Sequence, residues 1–228
     1  MAQTLRLHYA PDNASLCVRI ALEELGSPYQ TVLVDRSKQA QRSEAYLALN
    51  PNGLIPVLET PHGPVFETAA ILLWLSDTAE QLMPPPDSPD RAHALQWLFW
   101  LSNTLHGTQR MLFYPDQYTT GEVEPLRAAT RRRLVDKLDL LNDAKHASWI
   151  DADEGTAQGC YLGPLLRWCA IYGGSPDWFD LARWPRLLKF AERIEKRQAV
   201  QRAASAEGLG AKPFSAPQPC DPPEGSAV

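Results

Sequence analysis

The chain has 228 residues, of which 44% are hydrophobic and 21% charged, a composition that suits a globular protein able to bury a core. Its net charge is −5, so no global field draws it to nucleic acid or to an anionic membrane surface. No apolar run reaches the roughly 18–20 residues of a membrane span, and Met1 to Ala10 is too polar for a secretory signal.

In chain order, Leu5, Leu7 and Tyr9 alternate with Thr4, Arg6 and His8, the period of a half-buried strand. After a polar break at Pro11–Ala14, Ser15 stands as the N-cap of a helix. Leu16, Val18, Ile20, Ala21, Leu22 and Leu25 form its apolar face, and Gly26 stops it. Residues 29–34 read as a second strand and residues 43–49 as a short helix. Pro56 to Glu59 and Pro64 to Glu67 make two strands around the turn at Pro61-His62-Gly63, and Thr68 to Leu82 is an apolar helix. Strand, helix, strand implies a parallel crossover; the tight turn makes the closing pair antiparallel.

Twenty prolines are about 9% of the chain, against roughly 5% ordinarily, and they cluster. Pro84, Pro85, Pro86 and Pro89 mark a linker at 84–90 between a first domain (1–83) and a second (91–207). The second domain shows only helical spacing, over residues 91–113, 123–147, 157–172 and 184–206. From 208 to 228, Gly, Pro, Ser and Ala prevail, with five prolines from Pro213 to Pro223, and the expectation is a disordered tail.

Cys17, Cys160, Cys169 and Cys220 show no Cys-x-x-Cys spacing, so a reducing cytoplasmic compartment is the simplest reading. The five histidines form no ligand pair at helical spacing, which argues against a metal site. The most informative stretch is Asn50-Pro51-Asn52-Gly53-Leu54-Ile55-Pro56-Val57-Leu58, followed by Glu67-Thr68. A proline opening a short strand can be cis, and would then turn the Ile55 backbone outward to pair with an extended peptide. Glu67-Thr68, where strand becomes helix, offers N–H groups to a carboxylate and a carboxylate to an ammonium. A ligand with an amino-acid head and a peptide body fits both.

With the β-α-β-α-β-β-α order and the helical second half, these motifs resemble the cytosolic glutathione transferases. Leu7-His8-Tyr9-Ala10-Pro11, Leu105-His106 and Gln198 to Ala204 are most similar to the bacterial beta class. The resemblance implies an α/β thioredoxin-like first domain, an all-α second domain and a homodimer without metal. It also implies a cleft that activates glutathione for attack on a small hydrophobic electrophile, the chemistry of detoxification. It places Ile55 and Pro56, beside Leu54, on the cysteinyl part of glutathione, Glu67 and Thr68 on its γ-glutamyl end, and Lys38 near its glycine carboxylate. His106 falls beside the electrophile. Other glutathione-dependent chemistry on this scaffold (peroxidase, dehalogenase, ether-cleaving or isomerase activity) and a non-catalytic ligand binder are the alternatives.

The beta-class pattern has cysteine where this chain has Ala14, and Cys17, one turn into the helix, is expected to be buried. Another group has to stabilise the thiolate. Lowering a thiol pKa from about 8.5 by ~2 units takes about 2.7 kcal/mol. A helix start supplies roughly 0.3–1 kcal/mol, up to ~2 if partly buried, and one hydrogen bond to a charged group supplies about 1.5–3. Ser15 is the first expectation for that donor, Asn13 the second and Tyr9 the third, with the Ala14 N–H assisting. Ser15 as a plain N-cap, Tyr9 as a core residue and His106 as a structural histidine are the plain alternatives. Trp168 reads as core or pocket wall, and Arg131 to Arg133 as a solvated face. Near Thr156, Gly159 replaces the aspartate of a capping pattern, just after the acidic run Asp151 to Glu154, which predicts a weakened helix start.

Overall fold

The structure, a computed structural model, describes residues 4–173 and 176–227. Strand β1 (Leu5–Tyr9) is followed by helix α1 (Ser15–Leu25), β2 (Tyr29–Leu33), the short α2 (Glu44–Leu47), β3 (Val57–Thr60), β4 (Gly63–Phe66) and α3 (Thr68–Ala79). The four strands form one sheet in the order β2-β1-β3-β4. β1 and β2 run parallel, with Leu7 opposite Thr31. β1–β3 and β3–β4 are antiparallel, with Leu58 opposite both Leu7 and Val65. This mixed sheet with helices is the thioredoxin-like arrangement expected of the first half.

α1 packs on the sheet because its inward residues Leu16, Cys17, Val18, Ile20, Ala21 and Leu22 are almost wholly buried. It touches α3 and, from the other half, α7 (Ala157–Ile171) and α9 (Gln198–Ala206), so one hydrophobic core runs through both halves. Between them lie α4 (Arg91–Phe99), α5 (Gly107–Phe113), α6 (Val123–Asp143) and α8 (Pro185–Ile194). All the elements read from the sequence are present, with shifted ends. α3 stops at Ala79, where Glu80 turns into the left-handed region at φ 53°. The expected helix over 184–206 is broken at Arg197 into α8 and α9. The helix over 91–113 is continuous, but Trp100–His106 widens into a π-helical stretch. Such wide turns concentrate at functional sites.

Three local expectations are corrected. First, the N-cap of α1 is Ala14, not Ser15. The Ser15 side chain is fully buried and turns back on the loop, exchanging hydrogen bonds with the Ala10 N–H (3.3 Å) and C=O (3.1 Å). Second, α7 keeps its cap despite Gly159, because Thr156 Oγ1 accepts from the Gly159 N–H at 3.0 Å. The acidic run before it is held by arginines. Arg186 grips the Asp151 carboxylate, Arg193 takes the Ala152 carbonyl, and Arg197 takes the Asp153 carbonyl.

Third, residues 208–227 are not a loose tail. Phe214 is 1% exposed, lying against Gly163 of α7, where any side chain would collide with its ring. Buried Glu195 accepts from the N–H groups of Phe214 and Ser215 and from the Ser215 hydroxyl (3.3, 2.9 and 2.6 Å). The segment returns on itself where the Asp221 N–H donates to the Gly208 carbonyl (2.9 Å). One large aromatic anchor and a satisfied buried carboxylate outweigh the tendency of a Pro- and Gly-rich composition to stay open. Val228, the last residue of that expectation, lies outside the described residues. No helix among the described residues is long and apolar enough to cross a membrane.

Candidate active site

A cleft of about 400 Å³ opens between the sheet half and the π-helical stretch Trp100–His106, α5 and α7. Four segments of the first half line it: Asp12 to Ala14 at the start of α1, Arg36 with Gln41 and Arg42 after β2, Asn50 and Gly53 to Pro56 ahead of β3, and Glu67-Thr68 at the start of α3. Facing them are Ser102, His106, Arg110, Phe113, Tyr114 and Tyr161, with Trp168 near the end of α7 and Tyr172 just after it.

The Asn50–Pro56 wall is locally determined. Asn50 Nδ2 (2.7 Å) and the Tyr46 hydroxyl (2.8 Å) both donate to the Leu54 carbonyl, fixing the chain just before a cis Ile55–Pro56 bond. Gly53 has φ 61° and its α-carbon faces the Arg42 side chain and the Gln41 carbonyl so closely that a side chain would clash. Leu54 is 39% exposed at the cleft mouth. Glu67 sits at φ 72°, a left-handed value a non-glycine residue adopts only under constraint, and begins α3 there. The free N–H groups of the first turn of α3 and the Thr68 side chain therefore share the cleft with the Glu67 carboxylate.

The loop under α1 is organised by a different device. Asp12, at φ 52°, has a fully buried carboxylate that accepts from Arg167 Nε (2.8 Å) and Nη2 (2.9 Å), Trp168 Nε1 (2.8 Å) and the Tyr172 hydroxyl (2.6 Å). The Asp12 N–H donates to Glu207 Oε2 at 2.8 Å, and Glu207 forms a 2.8 Å ion pair with Arg19. Burial pushes the Glu207 carboxyl up to about 7 even though Arg19 opposes the rise. The sequence reading missed Asp12, Arg167 and Glu207. The available signal was Arg167 itself, a lone charge within the apolar run Cys160 to Ile171, which a buried helix carries only with a partner.

The predicted site residues separate into two groups. Asn13, Leu54, Ile55, Pro56, Glu67, Thr68 and His106 all line the cleft. Ser15, Tyr9 and Lys38 do not. Ser15 is enclosed in its loop. Tyr9 is buried, lies under the Arg19 guanidinium and donates to Glu224 at 2.5 Å; burial and that carboxylate push its hydroxyl up to about 12. The Lys38 side chain is 80% exposed and pairs with Asp35 at 2.9 Å. The cations on that side of the cleft are Arg42 and Arg36, the Nη1 of Arg36 donating to Asn13 Oδ1 at 3.0 Å. Cys17 is buried, as expected, and its thiol is raised by desolvation. His106 Nδ1 meets the Tyr161 hydroxyl at 2.9 Å, and Trp168 packs on the ring. Burial, helped by Arg110, lowers its pKa to about 4, so the imidazole is neutral at physiological pH. Among the described residues no cluster of three or more His, Cys, Asp or Glu side chains could hold a metal ion.

Residues 14–78 match the family model of the glutathione S-transferase N-terminal domain. Over 210 residues the chain is 33% identical to glutathione S-transferase GstA of Escherichia coli O157:H7, a match covering 90% of this chain and all of that protein. The chain belongs to the glutathione S-transferase family. A sphingomonad glutathione S-transferase, solved in complex with glutathione, superposes with a TM-score of 0.73 at 32% identity. The beta-class enzyme of Sphingomonas chungbukensis superposes at 0.74 with 28% identity. Each covers 90% of this chain and 100% of its own.

Proposed function

We propose that this family member binds glutathione in the 400 Å³ cleft, stabilises its thiolate at the start of α1, and presents the sulfur to a hydrophobic electrophile on the wall formed by the π-helical stretch, α5 and α7. One observation carries the reading: Glu67-Thr68 at the start of α3 and Ile55-Pro56 ahead of β3 line one cleft, opposite an aromatic face. Glu67 takes the α-ammonium, while Thr68 and the helix start take the α-carboxylate. The Ile55 backbone pairs with the cysteinyl unit. The glycine carboxylate lies toward Arg36 or Arg42, the cleft-lining cations of the first half, rather than Lys38.

The thiol then falls near Asn13 and Ala14. Asn13 Nδ2 is the side-chain donor of choice, because Ser15 and Tyr9 are turned away. The Ala14 N–H and the α1 dipole assist, and Arg36, bonded to Asn13, adds positive charge. The thiolate lone pair forms the new C–S bond as the leaving group departs with its electron pair. His106, neutral and held by Tyr161, faces the electrophile as a hydrogen-bond donor or acceptor rather than as a cation. Positioning and thiolate stabilisation supply the catalysis.

Glutathione-dependent conjugation of 1-chloro-2,4-dinitrobenzene tests the reading. Asn13→Ala should lower kcat/KM about 10-fold or more and raise the pKa of bound glutathione, read from thiolate absorbance against pH. Undiminished turnover with an unshifted thiol pKa would remove Asn13 from the role. The same reading takes residues 1–83 as the glutathione unit, 91–207 as the electrophile unit, and a cytoplasmic homodimer as the working form. Light scattering on the purified protein checks the assembly.

A further inference from the structure

The segment beyond α9 is held in two unequal ways. Its first part is riveted to buried groups. Glu195 takes Phe214 and Ser215, while Arg167, fully buried, donates to the carbonyls of Pro213 (3.3 Å) and Gln218 (2.8 Å). Its last part lies on the surface, with residues 223–225 exposed, and runs across the loop under α1. There Glu224 accepts from the Tyr9 hydroxyl. Gly225, at φ 76°, passes so close to Leu33 and Pro11 that a side chain would clash. The Ala227 carbonyl accepts from Asn13 Nδ2 at 3.1 Å and from Arg36 Nη1. Ala227 lines the same cleft as Ile55, Pro56, Glu67 and Thr68.

Hydrogen-bond capacity makes this consequential. The Asn13 amide has two N–H groups; one goes to the Pro11 carbonyl (2.8 Å) and the other to Ala227. Its oxygen is occupied by Arg36. With the segment in place, Asn13 has no N–H left for a thiolate. We propose that residues 219–227 are an autoinhibitory strap over the thiol end of the cleft, which glutathione has to displace from Asn13 and Arg36.

The proposal rests on the glutathione reading above, and the experiment separates the two. Calorimetric titration with reduced glutathione is carried out on the full chain, on a chain ending at Gln218, and on Glu224→Ala in the full chain. The shortened chain keeps the Glu195 and Arg167 contacts. It should bind glutathione roughly 5- to 10-fold more tightly, the factor by which a strap closed 80–90% of the time weakens apparent affinity. Glu224→Ala should shift affinity the same way by a smaller factor. Hydrogen exchange of residues 219–227 in the full chain should quicken when glutathione saturates the cleft. Equal affinity in all three proteins, or protection unchanged by glutathione, overturns the strap and leaves the glutathione reading standing. Failure of the shortened chain to bind glutathione at all overturns both.

Discussion

The segment from Asn50 to Thr68 and the loop from Ala10 to Ser15 meet in one cleft, yet they are held differently. The first is fixed by neighbours in sequence: Asn50 and Tyr46 clamp Leu54, Gly53 makes the turn, and β3 and β4 carry the chain to Glu67. The second is fixed from far away, by Arg167, Trp168 and Tyr172 on and just after α7, Glu207 after α9, and Glu224 and Ala227 beyond. The ligand-holding wall is thus self-contained. The thiol-handling loop belongs to the whole chain, and its geometry answers to changes 150 to 215 residues distant in sequence.

The sharpest way to break that difference is to remove the hub. Asp12→Ala leaves the Arg167 guanidinium buried without its carboxylate, and losing one partner of a buried pair typically costs about 3–5 kcal/mol. Urea unfolding should show a loss of that order. An effect under about 1 kcal/mol would mean that the loop does not depend on α7. On the other wall, Thr68→Ala or Glu67→Gln should leave stability nearly unchanged and weaken glutathione binding. The scale is about 10- to 100-fold, the worth of one hydrogen bond to a charged group. Calorimetry in the shortened chain reads it without interference from the strap.

The same division explains what could be read from residues alone. Strand pairing, the crossover, the position of Ile55-Pro56 ahead of β3 and Glu67-Thr68 at the start of α3 depend on alternation, turn residues and short spacings, and all were legible. Asp12, Arg36, Glu207 and the path of residues 208–227 depend on partners that spacing does not connect. The Pro- and Gly-rich composition of 208–228 spoke for disorder. The decisive facts were one phenylalanine finding Gly163 and one buried glutamate finding two backbone N–H groups. Lys38 answers by resemblance to a basic residue in a loop whose register only the fold sets; Arg36, two residues earlier, and Arg42 are the cations of that loop that reach the cleft.

A smaller, pH-dependent effect should arise at Glu207. Its carboxyl is raised to about 7 in the folded chain from an ordinary 4.5, mainly by burial. Between those values the folded state binds more protons than the unfolded state. Stability therefore falls as pH rises from about 4.5 to about 7, and the penalty is fully present above that window. Thermal unfolding from pH 4.5 to 7.5 should show this decline, and Glu207→Gln should flatten it by a few degrees. The slope is the readout, because the variant also leaves Arg19 without its anion. An identical slope in both proteins would place the titration elsewhere.

The smallest expected effect discriminates most finely between the two ways of reading the α1 loop. Ser15 has the residue type and the position in sequence of a thiolate donor, but its hydroxyl closes a small ring with Ala10 inside the protein. Ser15→Ala removes those two bonds. The Ala10 carbonyl keeps the Asn13 N–H at 3.3 Å, so the main loss is the Ala10 N–H, on the order of 1 kcal/mol of stability. Conjugation kinetics and the pKa of bound glutathione should stay close to those of the unaltered protein, whereas Asn13→Ala moves both. A 10-fold fall in kcat for Ser15→Ala at unchanged stability would reverse the assignment. It would require the loop to turn its serine outward once glutathione is bound, breaking the Ala10 contacts that fix the start of α1.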